Sequence, residues 1–341
     1  MSSGPRVTIA GAGVFGLASA LALADAGCAV TVCDPGGANA SSVAAGMIAP
    51  VFEAVLDETA RPHLDLLLRA RDLWPSLAAR AGIALDRTGA MAVGDDAWLD
   101  DLEARFGALY LRPAEIGGAT AREMAPGLSG GFDRALLTRE DWRVDAPAAL
   151  AGLAGAAREA GVAFERRTVA ARGDADVLLL ATGADADLAA LAPELTQLSP
   201  IKGHILRLGA PAVGAVVRGE RIYVAPGEAA VFGATMEPGV ADATIDPAKG
   251  EALRAAGLQL FPGLAGAPVT VEAGVRAATP DGLPLVGPSS GAGVVLATGA
   301  RRNGWLLAPL VAQVAAAMVM GRNAGPYAGR FDPGRFQGGI V

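Results

Sequence analysis

The stretch RVTIAGAGVFGLASALALADAGCAVTVCD, residues 6–34, decides the fold. Arg6 to Ala10 reads as a buried strand and Gly11-Ala12-Gly13-Val14-Phe15-Gly16 as a tight turn. Leu17 to Ala26 reads as a helix stopped by Gly27, and Ala29 to Cys33 as a second strand that ends in Asp34. In this order each part has a physical task in holding a dinucleotide. Gly11 permits the turn, Gly13 lets backbone approach a pyrophosphate, and Gly16 lets helix and strand pack closely. The helix N-terminus offers unpaired N–H groups and the positive end of its dipole to phosphates. Asp34 can accept hydrogen bonds from a ribose. The motif alone does not choose between NAD and FAD.

Composition narrows the field around this motif. The chain has 341 residues, 52% of them hydrophobic and 18% charged, which excludes a disordered chain and fits two domains or one large one. Glycine, 46 of 341 residues, stands close to twice its ordinary usage of about 7%. There is no collagen period, so glycines must serve turns or close backbone approach. A net charge of −7 without a Lys/Arg block argues against nucleic acid, which needs a basic patch. Cys28 and Cys33 are too few for a disulfide framework or a four-cysteine zinc site, and His63 and His204 too few for a histidine-rich metal centre. No metal is therefore expected. The nearly uncharged run from Val7 to Val32 could pass for a signal peptide. Arg6 alone makes no basic n-region, however, and Asp25 and the glycines at 11, 13 and 16 do not suit one. No other stretch reaches the length needed to span a bilayer. The expectation is a cytoplasmic protein with no membrane partner.

Farther along, His63 to Ala81 has helical spacing, Gly89–Gly94 and Ala135–Val144 read as strands, and Asp145 can cap a helix over Pro147–Ala160. A strand is expected around Val169. Asp176 to Leu180 is a continuous apolar run of the kind a central parallel strand shows, and it runs into Ala181-Thr182-Gly183. From Ile201 to Val275 the pattern turns to alternation and hairpins, with Arg221–Ala225 and Ala229–Thr235 flanking a turn. A last strand, Val294–Ala297, leads to Gly299 and then to an apolar helix over Leu307–Met320. The fold class is α/β: a Rossmann-like dinucleotide domain with an antiparallel-sheet substrate domain. The first takes 1–85, 140–198 and 271–341, and the second 86–139 and 199–270.

The motifs spread over the chain resemble the FAD-dependent D-amino-acid oxidase superfamily, and within it the glycine oxidase branch of thiamine biosynthesis. They are GAGVFG (11–16) with Asp34, SSVAAGMIAP (41–50), LLLATG (178–183), PIKGH (200–204), YVAP (223–226), FGATM (232–236), GVRAATPDGLPLVG (274–287) and TGARRNGWLLAP (298–309). The last two are the most specific. The resemblance implies a glutathione-reductase-type fold and FAD. It places Gly11, Gly13, Val14, Phe15 and Gly16 at the pyrophosphate and Asp34 at the ribose. Ala40, Ser41, Ala45, Gly46 and Met47 would line the flavin, with Val169 at the adenine and Ala181, Thr182 and Gly183 beside the cofactor. Gly299, Ala300, Arg301, Arg302, Asn303, Gly304, Trp305 and Leu306 would wrap the ring. It assigns Arg276 and Arg302 to a substrate carboxylate and Tyr223 and Met236 to the pocket wall. Gly274 stands where the sarcosine-oxidase branch carries a flavin-linked cysteine, which implies non-covalent FAD.

The chemistry of the residues bears on these roles separately. Arg276 lies in a glycine-rich apolar strand, where a guanidinium forking onto a carboxylate is the natural use of a costly charge. Arg302 could equally serve the ring. His204 reads as a core or interface histidine. Arg221, two residues before Tyr223, falls on the same strand face. It reads as a solvated edge arginine, although in the pocket it would favour an acidic substrate. The implied function is oxidative deamination of glycine or a small amino acid with O2 reduced to H2O2. Another D-amino acid or secondary-amine oxidase or dehydrogenase of the same superfamily stays open, as does a homo-oligomer.

Overall fold

The computed structural model describes residues 4–336. Val7 and Ile9 are buried on the first strand, Arg6–Ala10, and it pairs in parallel with Ala29–Cys33 on one side and Val177–Leu180 on the other. Six strands form this sheet, in the order Leu285–Pro288, Val294–Thr298, Val177–Leu180, Arg6–Ala10, Ala29–Cys33, Ala163–Glu165. All neighbours are parallel except the hairpin of the first two. Continuous apolar strands are what helices on both faces require. The helices Val14–Asp25, Ala146–Glu159 and Gly304–Val319 supply that cover in one core with the strands.

The second sheet has nine strands and is largely antiparallel. Its backbone is the pairing of Ser199–Leu208 with Val269–Ala278, continuous from Ser199 opposite Ala278 to Leu208 opposite Val269. Tyr223–Ala225, Val216–Arg218 and Ala90–Ala92 extend the sheet. A third, two-stranded ladder joins Met47–Ile48 to Trp142–Arg143.

Four expectations need correction. The helix expected over 63–81 is two, Leu64–Asp72 and Trp74–Ala81. Pro75 has no N–H and its ring crowds the carbonyl four residues back, so the first helix ends before it and Pro75 stands in the first turn of the second. The strand expected over 135–144 is likewise two, Arg134–Thr138 and Trp142–Arg143. Between them Asp141 leaves the ladder to accept from the N–H groups of Val51 and Phe52 at 2.8 and 3.1 Å. Val169 lies in no strand; it is buried beside Ala10, Cys33 and Leu178. The last helix begins at Gly304, three residues earlier than the apolar periodicity indicates.

That helix contains Pro309, which cannot donate to the carbonyl of Trp305. The vacated carbonyl accepts instead from the indole N–H of the fully buried Trp74, at 3.0 Å. A helix defect is thus repaired by a side chain from the 74–81 helix, tying the two helices at the end nearest the site. Among the described residues no helix is long and apolar enough to cross a membrane.

Candidate active site

Two helix N-termini face the same region. The Val14–Asp25 helix has no acidic residue in its first turn, and its N-cap, Gly13, has no side chain to cap it. The N–H groups of the first turn have no intrahelical acceptor. That of Val14 donates to Ser41 Oγ at 3.0 Å, which leaves those of Phe15 and Gly16 for an anion. The cradle admits nothing larger than glycine. A Cβ on Gly11, at φ +106°, would stand 2.5 Å from the carbonyl oxygen of Ala181, and one on Gly16 would overlap that of Gly11. Asp34 accepts from the N–H of Ala12 and of Gly36, both at 2.7 Å, which fixes its carboxylate at the strand end with lone pairs left for hydroxyls. Bare amides, a pinned acid and room that a side chain would fill fit the diphosphate and ribose of FAD. Val169 is buried in the same apolar cluster as Cys33, the residue before this acid.

The second N-terminus is that of Gly304–Val319, which also lacks an acidic first turn and a side-chain cap. Asn303 and Trp305 at its start, with Ala40, Ala45, Gly46 and Met47, line a cavity of about 390 Å³. Trp305 holds this wall together by donating from its indole to the Ser41 carbonyl at 3.1 Å. Gly46, at φ +74°, lies against the Val144 carbonyl, where a Cβ would overlap. The positive end of the helix dipole is directed at the cavity, a placement that favours negative charge developing there.

The opposite wall is the antiparallel sheet. Gly203, Ile205, Arg218, Tyr223, Gly233 and Arg276 all face the cavity. Small residues seat the large ones: Tyr223 lies across Gly233 and Arg276 across Gly203, and a Cβ at either glycine would overlap them. Arg276 donates only to the carbonyl of Thr235, at 3.4 Å, and no carboxylate of the described residues pairs with it. Burial pushes its pKa below the usual guanidinium value, Tyr223 opposes this and the charge of Arg302 adds to it. Burial pushes the Tyr223 phenol up, against the pull of Arg276.

Arg302 is placed differently from Arg276. Its Nε donates to Glu53 at 2.6 Å, another nitrogen lies 3.3 Å from Asp57, and a third lies 3.7 Å from the sulfur of Met236. It faces the cavity already paired. Arg301 pairs with Asp57 and borders a small separate pocket with Thr59, His63 and Gly282 rather than the larger cavity. Gly299, Ala300 and Leu306 do not line the cavity. Ala181 and Thr182 lie against Gly11 of the glycine turn, and the Gly183 carbonyl accepts from Thr298 at 2.8 Å. His204 is a fully buried structural histidine held by Glu237 at 3.0 Å and by the N–H of Asp246.

Four residues of the site escape a reading of the sequence: Glu53, Asp57, Asp141 and Arg218. All four are buried. Burial pushes the Asp141 carboxyl up to about 6, while Arg218 and the two N–H donors oppose it. Arg221, the arginine the alternation singles out, precedes the strand Tyr223–Ala225, is exposed, and is among the residues that line the cavity. It lies in the connection 219–222 between the two strands, not in a strand. Neither cysteine lines the cavity: Cys28 contacts Met320, and Cys33 closes the second strand.

Comparison with known proteins agrees with this arrangement. The chain is 31% identical to the glycine oxidase of Pseudomonas aeruginosa over 95% of its own length and 98% of the relative's. It is 30% identical to the bifunctional protein ThiO/ThiG of Trichormus variabilis over 97% of its length, and spans about half of that longer relative, 55%. The crystal structure of glycine oxidase from Geobacillus kaustophilus superposes with a TM-score of 0.80 at 27% identity, covering 96% of this chain and 98% of that one. The family described as DAO, FAD dependent oxidoreductase, matches residues 6–318. A glycine turn open to a diphosphate, and a cavity between a helix N-terminus and an arginine-bearing sheet, thus lie in a chain that belongs to the DAO family of FAD-dependent oxidoreductases.

Proposed function

We propose that the protein oxidises glycine or a similarly small amino acid to its imine, with O2 reduced to H2O2, and that with glycine the imine serves thiazole assembly in thiamine biosynthesis. One observation carries the substrate class: Arg276, a guanidinium on the cavity wall, has no carboxylate among the described residues to pair with. A forked donor in a partly buried site pairs best with a planar carboxylate. Tyr223, beside it, can donate its phenol to the same group. The names of the glycine oxidase and ThiO relatives support the small amine and the pathway.

In this reading Arg276 fixes the carboxylate, and the cavity orients the α-carbon toward the wall formed by Ala45 to Met47. Bound FAD supplies a two-electron acceptor for the α-hydrogen and a route for the electrons to O2. The amine must enter neutral. The described cavity lining holds no histidine, and its carboxylates, Glu53 and Glu220, include no free buried base: Glu53 is held by Arg302. The rate therefore rests on orientation and on the dipole of the Gly304–Val319 helix rather than on a side-chain base.

The segments 1–85, 140–198 and 271–341 would form the FAD-binding part, and 86–139 with 199–270 the substrate part. The strand Val269–Ala278 would carry Arg276 from one to the other. The setting is taken to be cytoplasmic. A peroxide assay of the flavin-loaded protein across glycine, sarcosine and D-alanine tests the reading. Peroxide with glycine supports it. Flavin reduced by an amine without peroxide would indicate a dehydrogenase, and no reduction by any of them would overturn amine oxidation.

A further inference from the structure

Arg276 accounts for one carboxylate, and Arg218 is left without an assignment. Arg218 closes the strand Val216–Arg218 and stands in register with Tyr223, so both side chains rise from one face of the sheet into the cavity. Only 7% of Arg218 is exposed, and its buried Nε has no hydrogen-bond partner among the described residues. Its Nη2 lies 3.4 Å from the Met47 sulfur and 3.9 Å from Glu53, and its guanidinium lies 5.2 Å from the centroid of the Phe52 ring. A buried donor without an acceptor is costly, and this one opens on a ligand cavity.

The charges of the site leave the same residue over. Arg301 is neutralised by Asp57, and Arg302 by Glu53 and Asp57. Asp141 turns both carboxylate oxygens to the N–H groups of Val51 and Phe52 and, among the described residues, forms no ion pair with Arg218. Of the other arginines lining the cavity, Arg105 pairs with Asp101 and Arg221 is exposed. Arg218 reaches Glu53 only at 3.9 Å and Arg276 reaches no carboxylate of the described residues, so these two, on either side of Tyr223 and Gly233, are the inward guanidiniums without a close counter-charge. Gly203, under the Arg276 guanidinium, lies three strands from Arg218 in the order of the sheet. At about 4.8 Å per strand the two positions are roughly 14 Å apart at the backbone, and the inward reach of two arginines leaves space for a short diacid.

We infer that, besides a small amino acid, the cavity takes and holds more tightly an amine bearing two carboxylates, one held by Arg276 and the second by Arg218. The inference rests on the reading that Arg276 takes the first carboxylate. The second can sit on the side chain, as in D-aspartate, or on the nitrogen substituent, as in iminodiacetate.

The test is binding to the FAD-loaded protein, followed by the shift of the flavin absorption bands. Succinate and glutarate are each compared with butyrate. At least one diacid should bind tenfold or more tightly than the monoacid. Arg218→Met should reduce that ratio to below threefold, and Arg218→Lys should retain part of it. Equal binding of mono- and diacids by the unaltered protein overturns the inference and leaves the glycine-type reading standing; this comparison needs no variant to fold. A ratio that survives in Arg218→Met also overturns it. If no carboxylate shifts the bands and no amine reduces the flavin, both readings fall. Flavin reduction by D-aspartate relative to D-alanine, and by iminodiacetate relative to sarcosine, then shows which position carries the second carboxylate. An advantage of tenfold or more in either pair supports the inference, and none in both overturns it.

Discussion

The guanidinium of Arg276 occupies the space that a side chain on Gly203 would need: a Cβ there would stand 2.6 Å from Nη2 and overlap Nη1. The two residues lie on the paired strands Ser199–Leu208 and Val269–Ala278, with Gly203 opposite Gly274 and Arg276 opposite Ile201. The bare position on one strand therefore determines where the charge on the next can lie. Gly203→Ala should push the guanidinium aside without unfolding the sheet, because the end of a flexible side chain yields more readily than backbone. KM for the amino acid should rise tenfold or more, with a smaller change in kcat. Steady-state kinetics with an unchanged melting temperature would show this, and an unchanged KM would separate Arg276 from carboxylate binding.

Removing the charge itself should cost more. Arg276→Ala takes away the donor fork and leaves a carboxylate to be buried unpaired, a loss of about 2–5 kcal/mol in kcat/KM. The FAD content should not change, since Arg276 lies on the sheet wall and not in the glycine turn. Unchanged kinetics in a flavin-loaded variant would end the assignment.

The glycine turn offers a test of cofactor binding alone. A Cβ on Gly16 would overlap the carbonyl oxygen of Gly11 and lie 3.4 Å from the Cβ of Ala181. The obstacle is backbone, so the first strand and helix must separate. Gly16→Ala should be purified with a reduced flavin-to-protein ratio, read from absorbance at 450 and 280 nm. Full FAD occupancy in this variant would mean that the turn tolerates a side chain and does not hold the cofactor as described.

The contrast between Gly16 and Glu53 shows what the sequence discloses. Gly16 is legible because its reason is local: a strand, a turn and a helix within thirty residues leave one way to pack. The strands Val177–Leu180 and Val294–Thr298 are legible from their apolar runs for the same reason. Arg276 stands out because a charge among small and apolar residues requires a use. Glu53 lies in an ordinary helical run, PVFEAVLDE, and its partner Arg302 is some 250 residues later. Nothing along the chain announces that meeting. Arg218 is hidden differently, because the connection 219–222 breaks the alternation, and an unbroken alternation points to the exposed Arg221 instead.

Glu53 holds Arg302 and stands near Arg218, so its charge offsets the positive wall of the cavity. Glu53→Gln leaves the half-buried Arg302 and the buried Arg218 short of a counter-charge, which should cost about 2–3 kcal/mol of stability, less than the loss from a fully buried pair. The same excess of positive charge should make the FAD-loaded variant bind acetate more tightly than the unaltered protein does. Thermal melts and acetate titration check the two parts. A variant that is less stable and also binds acetate more weakly would show that Glu53 mainly positions Arg302 for the ligand.

Asp141 predicts a pH dependence whose sign is opposite to that of a salt-bridged acid. Its carboxyl is raised to about 6 from an ordinary 3.8, chiefly by burial. The folded state therefore holds this proton more firmly than the unfolded chain. The stabilisation is full below about pH 4 and is lost as pH rises through 6. A carboxyl held that far above its ordinary value contributes on the order of 3 kcal/mol. Asp141→Asn keeps an oxygen for the N–H groups of Val51 and Phe52 but cannot titrate. Other acids shift stability over the same range, so the quantity to follow is the difference between the two proteins. Relative to Asp141→Asn, the unaltered protein should lose stability between pH 4 and 7 and show no further change from 7 to 8. Urea unfolding at each pH measures it, and a difference that stays flat from 4 to 7 would show that Asp141 is ionised in the fold throughout.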